Sequence, residues 1–284
     1  MIISIMSTIG ALARNKSFKG LLDAYSGAAV GCSLRRLRTA YSGNCIKVRR
    51  ASDSAELDIG FVDNVLDTAS LETFCSGTDG FVSVWYDQSG NGNNLTQTSA
   101  SGQSQIVSSG SVILENGKPC LDYNINSYDS TYLLNDDANF LISMVIRVDT
   151  EQDSNPRYLS LVSSSVNLQI GHNTDDKYFI RKDSTTTVSD STYTTLGSQN
   201  LLSWGATSDS LYFGLNGSNV GFSGTGAPTA DSFNGNGIVL FKGYTSVSHY
   251  AETGTIQEVI IYPSNEASSQ VGIENNINTN YSIY

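Results

Sequence analysis

From Gly80 to the C-terminus the chain reads as a succession of short apolar runs, each cut off by Gly, Ser, Asn or Asp. FVSVWY, FLISMVIRV, KYFIRK, NLLSWGAT, SLYFGLN, GIVLFKG and GTIQEVIIY are among them. Runs of this length, rich in β-branched and aromatic residues, are strands, and their turn chemistry returns the chain every few residues. Many short strands at near-regular spacing close into a sandwich or barrel. Two hairpins stand out. In SLYFGLNGSNVGFS, Asn216-Gly217 has the residues a type I′ turn requires, and VNLQIGHNTDDKYFIRK turns over a longer loop.

Ahead of this region, CIKVRR alternates as a strand, and ASDSAELDIGFVDN reads as a loop. Asp67 is placed to cap a helical turn over LDTASLETFC, with Leu71 and Phe74 on one side. Leu34, Leu37 and Tyr41 recur at helical spacing, which predicts a second short helix. The tail SSQVGIENNINTNYSIY predicts a third. Residues 1–30 are expected to be an N-terminal arm and 31–284 a single sandwich domain.

The net charge of −11 is unevenly spread: residues 1–50 carry +8 and the remainder −19. A basic leading segment on an acidic body fits an arm that docks on a partner through Arg14, Lys16 and Lys19; the alternative is that these cations pair with their own chain. The acidic body would repel phosphate, which argues against nucleic acid. No apolar run reaches the roughly 20 residues of a membrane span. MIISIMSTIGALARNKSF has its cations after the apolar stretch, unlike a secretory leader. That predicts a protein made and kept in a cytosol, with Cys32, Cys45, Cys75 and Cys120 as buried thiols.

The run WYDQSGNGNNLTQ, Trp85 to Gln97, joins a strand to a Gly/Asn turn. With TFCSGTDGFVSVWYDQSGNGN, LRTAYSGNCIKVRRASD and LDTASLETFC it resembles the catalytic domain of arabinofuranosidase B, a concanavalin A-like sandwich. GTIQEVIIYPSNEASSQVGIENNINTNYSIY is similar to the closing strand and terminal helix of laminin-G-like and concanavalin A-like jelly rolls. The resemblance implies an all-β, concanavalin A-like jelly-roll β-sandwich with a few short helices. It also implies a glutamate nucleophile in the middle of the domain, an aspartate acid/base in a loop before the closing strand, and two adjacent cysteines. This chain departs from all three. No glutamate lies between Glu151 and Glu252, LFKGYTSVSHYAETGTIQE holds no aspartate, and there is no Cys-Cys pair. The family's cysteine partner for Cys75 is Gly80 here.

Those departures predict a frame without the chemistry. The chain is also similar to modules of tailed-phage virion proteins, so the expectation is a non-enzymatic structural protein of a virion surface, made in the host cytoplasm. It would serve as a head decoration, head fibre or tail-adhesion part, bound to capsid or tail proteins as a homo-oligomer and touching host glycans. Tyr244, His249 and Tyr250 in KGYTSVSHY, with Trp204, are the candidate sugar-binding residues. Trp85, in an alternating run with Phe81, is expected in the core. The alternatives are a glycosidase using Glu252 and Asp175, and a free lectin module. Asp175-Asp176 and Asp136-Asp137 read as turn carboxylates, the latter also able to help bind calcium; no other cofactor and no other metal is expected.

Overall fold

The computed structural model describes residues 18–124, 127–130, 139–150, 156–162, 168–173, 175, 177–182, 185–193, 196–207, 210–223, 237–241 and 253–284. They form a β-sandwich with three short α-helices, Leu21–Ala24, Thr68–Phe74 and Gln270–Tyr281. All the paired strands run antiparallel, and one hydrogen-bonded ladder continues through both layers. In the first layer the Phe140–Thr150 strand lies between Gln199–Ala206 and Thr253–Tyr262. The other edge of Thr253–Tyr262 is shared: Leu121–Asn124 takes its first half and Val30–Ser33 its second. In the second layer Tyr128–Ser130, Gly237–Leu240, Arg157–Val162, Leu168–His172, Lys177–Lys182 and Thr185–Tyr193 follow one another.

Burial follows the two-residue side-chain period of strands. Ile142, Met144, Ile146 and Val148 point inward with Trp85, Trp204, Tyr123 and Ile256, all in the main core. Leu141 and Val145 point the other way, and Leu201, Ile260 and Tyr262 share that outer face. Ile273, Ile277 and Tyr281 of the C-terminal helix cover it, with Leu21 and Leu22 beside them. A strand covered on both faces needs an almost unbroken apolar sequence, as FLISMVIRV supplies. Asn216 and Gly217 take φ of 49° and 77° in the expected tight turn, joining Leu215 to Ser218. The second hairpin pairs Leu168–His172 with Lys177–Lys182. Asp67 caps its helix by accepting from Ser70 N at 3.0 Å.

Two local expectations give way to tertiary contacts. The 34–41 segment is not helical, because its amides are committed elsewhere: Leu34 N donates to Gln257 O, Arg36 N to Asn64 O, and Leu37 N to the Gln88 side chain. The 51–64 segment is more than a loop. Glu56–Ile59 adds a strand beside Ile46–Arg50, and Phe61–Val62 pairs with Val65–Leu66.

A β-bulge interrupts the Thr253–Tyr262 strand. Val145 pairs with Glu258 but Ile146 pairs with Ile256, so Gln257 is the extra residue. Two successive polar side chains thus leave the sheet on its outer face. Glu258 takes Arg35 in a two-pronged ion pair, at 2.7 and 2.9 Å, and also accepts from Ser33 and Tyr281 hydroxyls. Gln257 Nε2 donates to the carbonyls of Glu115, Lys118 and Pro119, which fixes the 114–119 hairpin on the sheet.

Candidate functional site

The Trp85–Gln97 motif is a latch rather than a reaction site. Asp87 is buried and accepts from four donors: Gly31 N, Ser89 N, Ser89 Oγ and Asn93 N, at 2.7 to 3.0 Å. Gln88 accepts from Leu37 N and donates to the carbonyls of Ser33 and Arg35. Asn91 and Asn93 donate to the carbonyls of Ala28 and Ala29. Gly90 and Gly92, at φ of 98° and 76°, give the loop the backbone that brings these groups round. The motif therefore satisfies backbone groups of residues 28–37 on the edge turned away from Thr253–Tyr262.

Tyr244, His249, Tyr250 and Glu252 lie outside the described residues, as do Arg14, Lys16, Asp136, Asp137 and Asp176. Lys19 is exposed. Trp204 is fully buried among Phe213, Tyr158 and Tyr178, with ring centroids 5.4, 6.0 and 6.2 Å away. Trp85 is fully buried, as expected. His172 is buried too, its Nδ1 2.6 Å from Tyr158 Oη, and burial, with Arg157 nearby, lowers its pKa to about 4. Asp175 sits exposed on its turn, where its N–H donates to Asn173 Oδ1. The cations of residues 35–50 largely serve their own chain: Arg35 pairs with Glu258 and Arg50 with Asp53, while Arg49 stacks on Phe81.

The polar site lies instead on the outer face of the sheet, beyond the end that the C-terminal helix covers. Arg49, Phe81, Gln105, Asp122, Thr255, Arg147 and Gln199 are direct cross-strand neighbours, one row across seven strands. Along its middle runs a cleft of about 590 Å³ whose lining includes Phe81, Gln103, Gln105, Asp122, Asn124 and Asp149. Adjacent inward residues Leu121, Tyr123, Ile146 and Val148 belong to the core, so the carboxylates stand on a packed floor.

The two acids differ in their surroundings. Partial burial, and then the charge of Asp149, raise the Asp122 pKa above the ordinary carboxylate value, with Arg147 pulling weakly the other way. Asp149 is ion-paired: Arg147 Nη2 donates to Oδ2 at 2.9 Å and Nε stands 2.8 Å from Oδ1. Two carboxyl groups in one cleft, one favouring its proton and the other held by a cation, are suited to general acid and base work. Gln105 and Asn124 beside them can bond hydroxyls, Gln103 being held by Arg49 and Gln97, and Phe81 offers an apolar face. Among the described residues no three His, Cys, Asp or Glu side chains gather as a metal site. Nor is any helix among them long and apolar enough to cross a membrane.

Comparisons with known proteins return matches to arabinofuranosidases. The family described as "Alpha-L-arabinofuranosidase B, catalytic" matches residues 23–121. A probable alpha-L-arabinofuranosidase B of Aspergillus fumigatus is 38% identical over 98 residues, which is 32% of this chain and 19% of that protein. An alpha-L-arabinofuranosidase of Hypocrea jecorina is 37% identical over 97 residues, again 32% and 19%. The aligned stretch is thus about a fifth of each relative's length. Among solved structures, a GH54 arabinofuranosidase soaked with a cyclic sulfate inhibitor superposes with a TM-score of 0.64 at 18% identity, over 90% of this chain and 64% of that one. An arabinofuranosidase complexed with arabinofuranosyl-alpha-1,2-xylobiose gives 0.62 at 17%, with the same coverage. These two likenesses establish the shared fold.

The matches correct the expectation of a non-enzymatic virion part. Head decoration, head fibre, tail adhesion, docking on capsid or tail proteins and a virion location are all overturned by similarity to the catalytic domain of a sugar-cleaving family. Acids missing at two family positions do not exclude a site, because acids need only converge in space and strands distant in sequence can supply them. No local motif marks Asp122 and Asp149; each is a single acid in an ordinary strand.

Proposed function

We propose that this chain is a glycoside hydrolase acting on α-L-arabinofuranosides, with the Asp122–Asp149 cleft as its site. The observation that carries this reading is the match of residues 23–121 to an arabinofuranosidase catalytic domain. That stretch contributes Phe81, Gln103 and Gln105 to the cleft and ends one residue before Asp122. The acids are then this chain's own, in place of the mid-domain glutamate and loop aspartate of the family it resembles.

In this scheme Asp122 gives its proton to the glycosidic oxygen as the bond from that oxygen to the anomeric carbon breaks. Asp149 takes a proton from the water that bonds to the same carbon. One water is consumed, and the two carboxyl groups end with their proton exchanged, to be reset through solvent. Arg147 beside Asp149 keeps a carboxylate facing the positive charge that builds on the sugar ring. Gln105 and Asn124 would hold the hydroxyls.

The test is release of 4-nitrophenol from 4-nitrophenyl α-L-arabinofuranoside, and of arabinose from arabino-oligosaccharides, by the full chain. Asp122→Asn is expected to lower kcat/KM about 10²- to 10⁴-fold. Binding of the oligosaccharides without any release would refute hydrolysis. Release that survives both Asp122→Asn and Asp149→Asn would move the site elsewhere.

A further inference from the structure

Arg147 touches more of the charged groups around the cleft than any role in packing requires. Its Nη1 donates to Glu115 Oε2 on one side, while Nη2 donates to Asp149 Oδ2 on the other and Nε stands 2.8 Å from Asp149 Oδ1. Glu115 belongs to the hairpin that Gln257 pins to the sheet, and Thr255 Oγ1 donates to it from the strand beside Asp122, at 3.4 Å. The Arg147 backbone is fixed as well. Tyr123 Oη donates to its carbonyl at 3.0 Å, and a Cβ at Gly254 would stand 2.0 Å from that same oxygen, so only glycine admits the approach.

We propose that Arg147 is a positioning residue of the cleft: through the chain Glu115–Arg147–Asp149 it orients the Asp149 carboxylate in the cleft it shares with Asp122. Its catalytic meaning rests on the hydrolase reading; its geometry does not. One cation between two carboxylates leaves an excess negative charge, and a third carboxyl close by is then the cheapest place for a proton. The charged groups that bear on Asp122 are Asp149 and Arg147, from the Phe140–Thr150 strand two places across the same sheet, with Glu115 acting through Arg147 and the Cys120 thiol near it along the chain. The guanidinium fork matters separately from its charge, since its two terminal nitrogens bridge Glu115 and Asp149 in one plane and an ammonium group cannot.

Two measurements on the full chain test this. Carboxyl ¹³C NMR titration reads Asp122 directly, and 4-nitrophenyl α-L-arabinofuranoside turnover with its pH profile reads the consequence. Arg147→Met is expected to move the Asp122 midpoint up by about 1 pH unit and Asp149→Asn to move it down. Arg147→Lys is expected to return the midpoint towards wild type while turnover stays about 10-fold low, because charge is restored and the fork is not. Should Arg147→Met fail to fold, Glu115→Gln reads the same chain and is expected to move the midpoint down. An Asp122 midpoint indifferent to these changes would overturn the proposal, as would a lysine variant equal to wild type in both measurements. A wild-type protein without turnover would sink the hydrolase reading alone, since the titration still decides whether the chain operates.

Discussion

The segment from 23 to 121 and the segment after it are held together by different means. The first is the stretch matched by the arabinofuranosidase family, whereas over 90% of the chain the solved arabinofuranosidases share its fold at only 17–18% identity. In the first segment specific side chains satisfy backbone groups. Asp87, Gln88, Asn91 and Asn93 together bond the amides or carbonyls of residues 28 to 37. Another residue at Asp87 or Gln88 leaves buried backbone groups without these partners. Beyond 121 the strands largely satisfy one another's backbones, with Gln257 and Tyr123 among the exceptions, and most buried side chains there are apolar, so that volume constrains them. A side chain that bonds the backbone is therefore constrained in its chemistry, and one that only fills space is constrained in its volume.

Substitution should expose that contrast. Asp87→Ala orphans donors that now share one buried carboxylate, and a loss of about 3 to 5 kcal/mol is expected. Met144→Leu, in the fully buried centre of the second segment, should cost less than about 1.5 kcal/mol, since it nearly conserves volume. Urea unfolding of both variants measures the difference. Equal costs would mean that the latch is not what separates the two segments.

A smaller effect tests the cleft, where the two segments meet. The Asp122 pKa is raised on folding, so the folded protein holds that proton more tightly than the unfolded chain. Stability from this source is present below the unfolded value, near 3.9, and is lost as pH rises through the folded value. Asp122→Asn removes the dependence. The variant should gain on wild type as pH is raised from 3 to 7, in urea midpoints measured at matched ionic strength. A gain that instead appears on acidification would reverse the assigned direction and require Asp122 to be the better-stabilised anion.

The same division decides what could be read from the sequence. The Asn216-Gly217 turn, the Asp67 cap and the alternating runs are local signals, and each has its local structure. The 34–41 segment misleads because the groups that capture its amides, Gln88, Asn64 and Gln257, lie far along the chain. The cleft is hidden for a related reason. Asp122 and Asp149 stand on strands separated by a third, Thr253–Tyr262, which is the last strand in the chain. Only the strand order sets them side by side, and nothing in the spacing of 122, 149 and 255 announces it. The bulge that turns Gln257 and Glu258 to one face is equally silent, since it arises in pairing with Val145 and Ile146.

Gly80 permits the smallest perturbation of the comparison, and it bears on how closely the first segment keeps its relatives' frame. A Cβ built there stands 2.7 Å from Cys75 Sγ, a separation within reach of an S–S bond of about 2 Å. It also stands 3.1 Å from Val48 Cγ1 and 3.2 Å from Val107 Cβ, both tight. Gly80→Cys should thus be destabilising while reduced and should close a bridge to Cys75 on oxidation. The closed loop is short, so the bridge returns about 2 kcal/mol at most, and the crowding consumes part of it. The oxidised variant should melt above its reduced form and close to wild type, with the bridge verified by mass after thiol labelling. A variant that stays reduced in an oxidising buffer would mean that the 75–80 backbone has departed from the frame in which this pairing occurs.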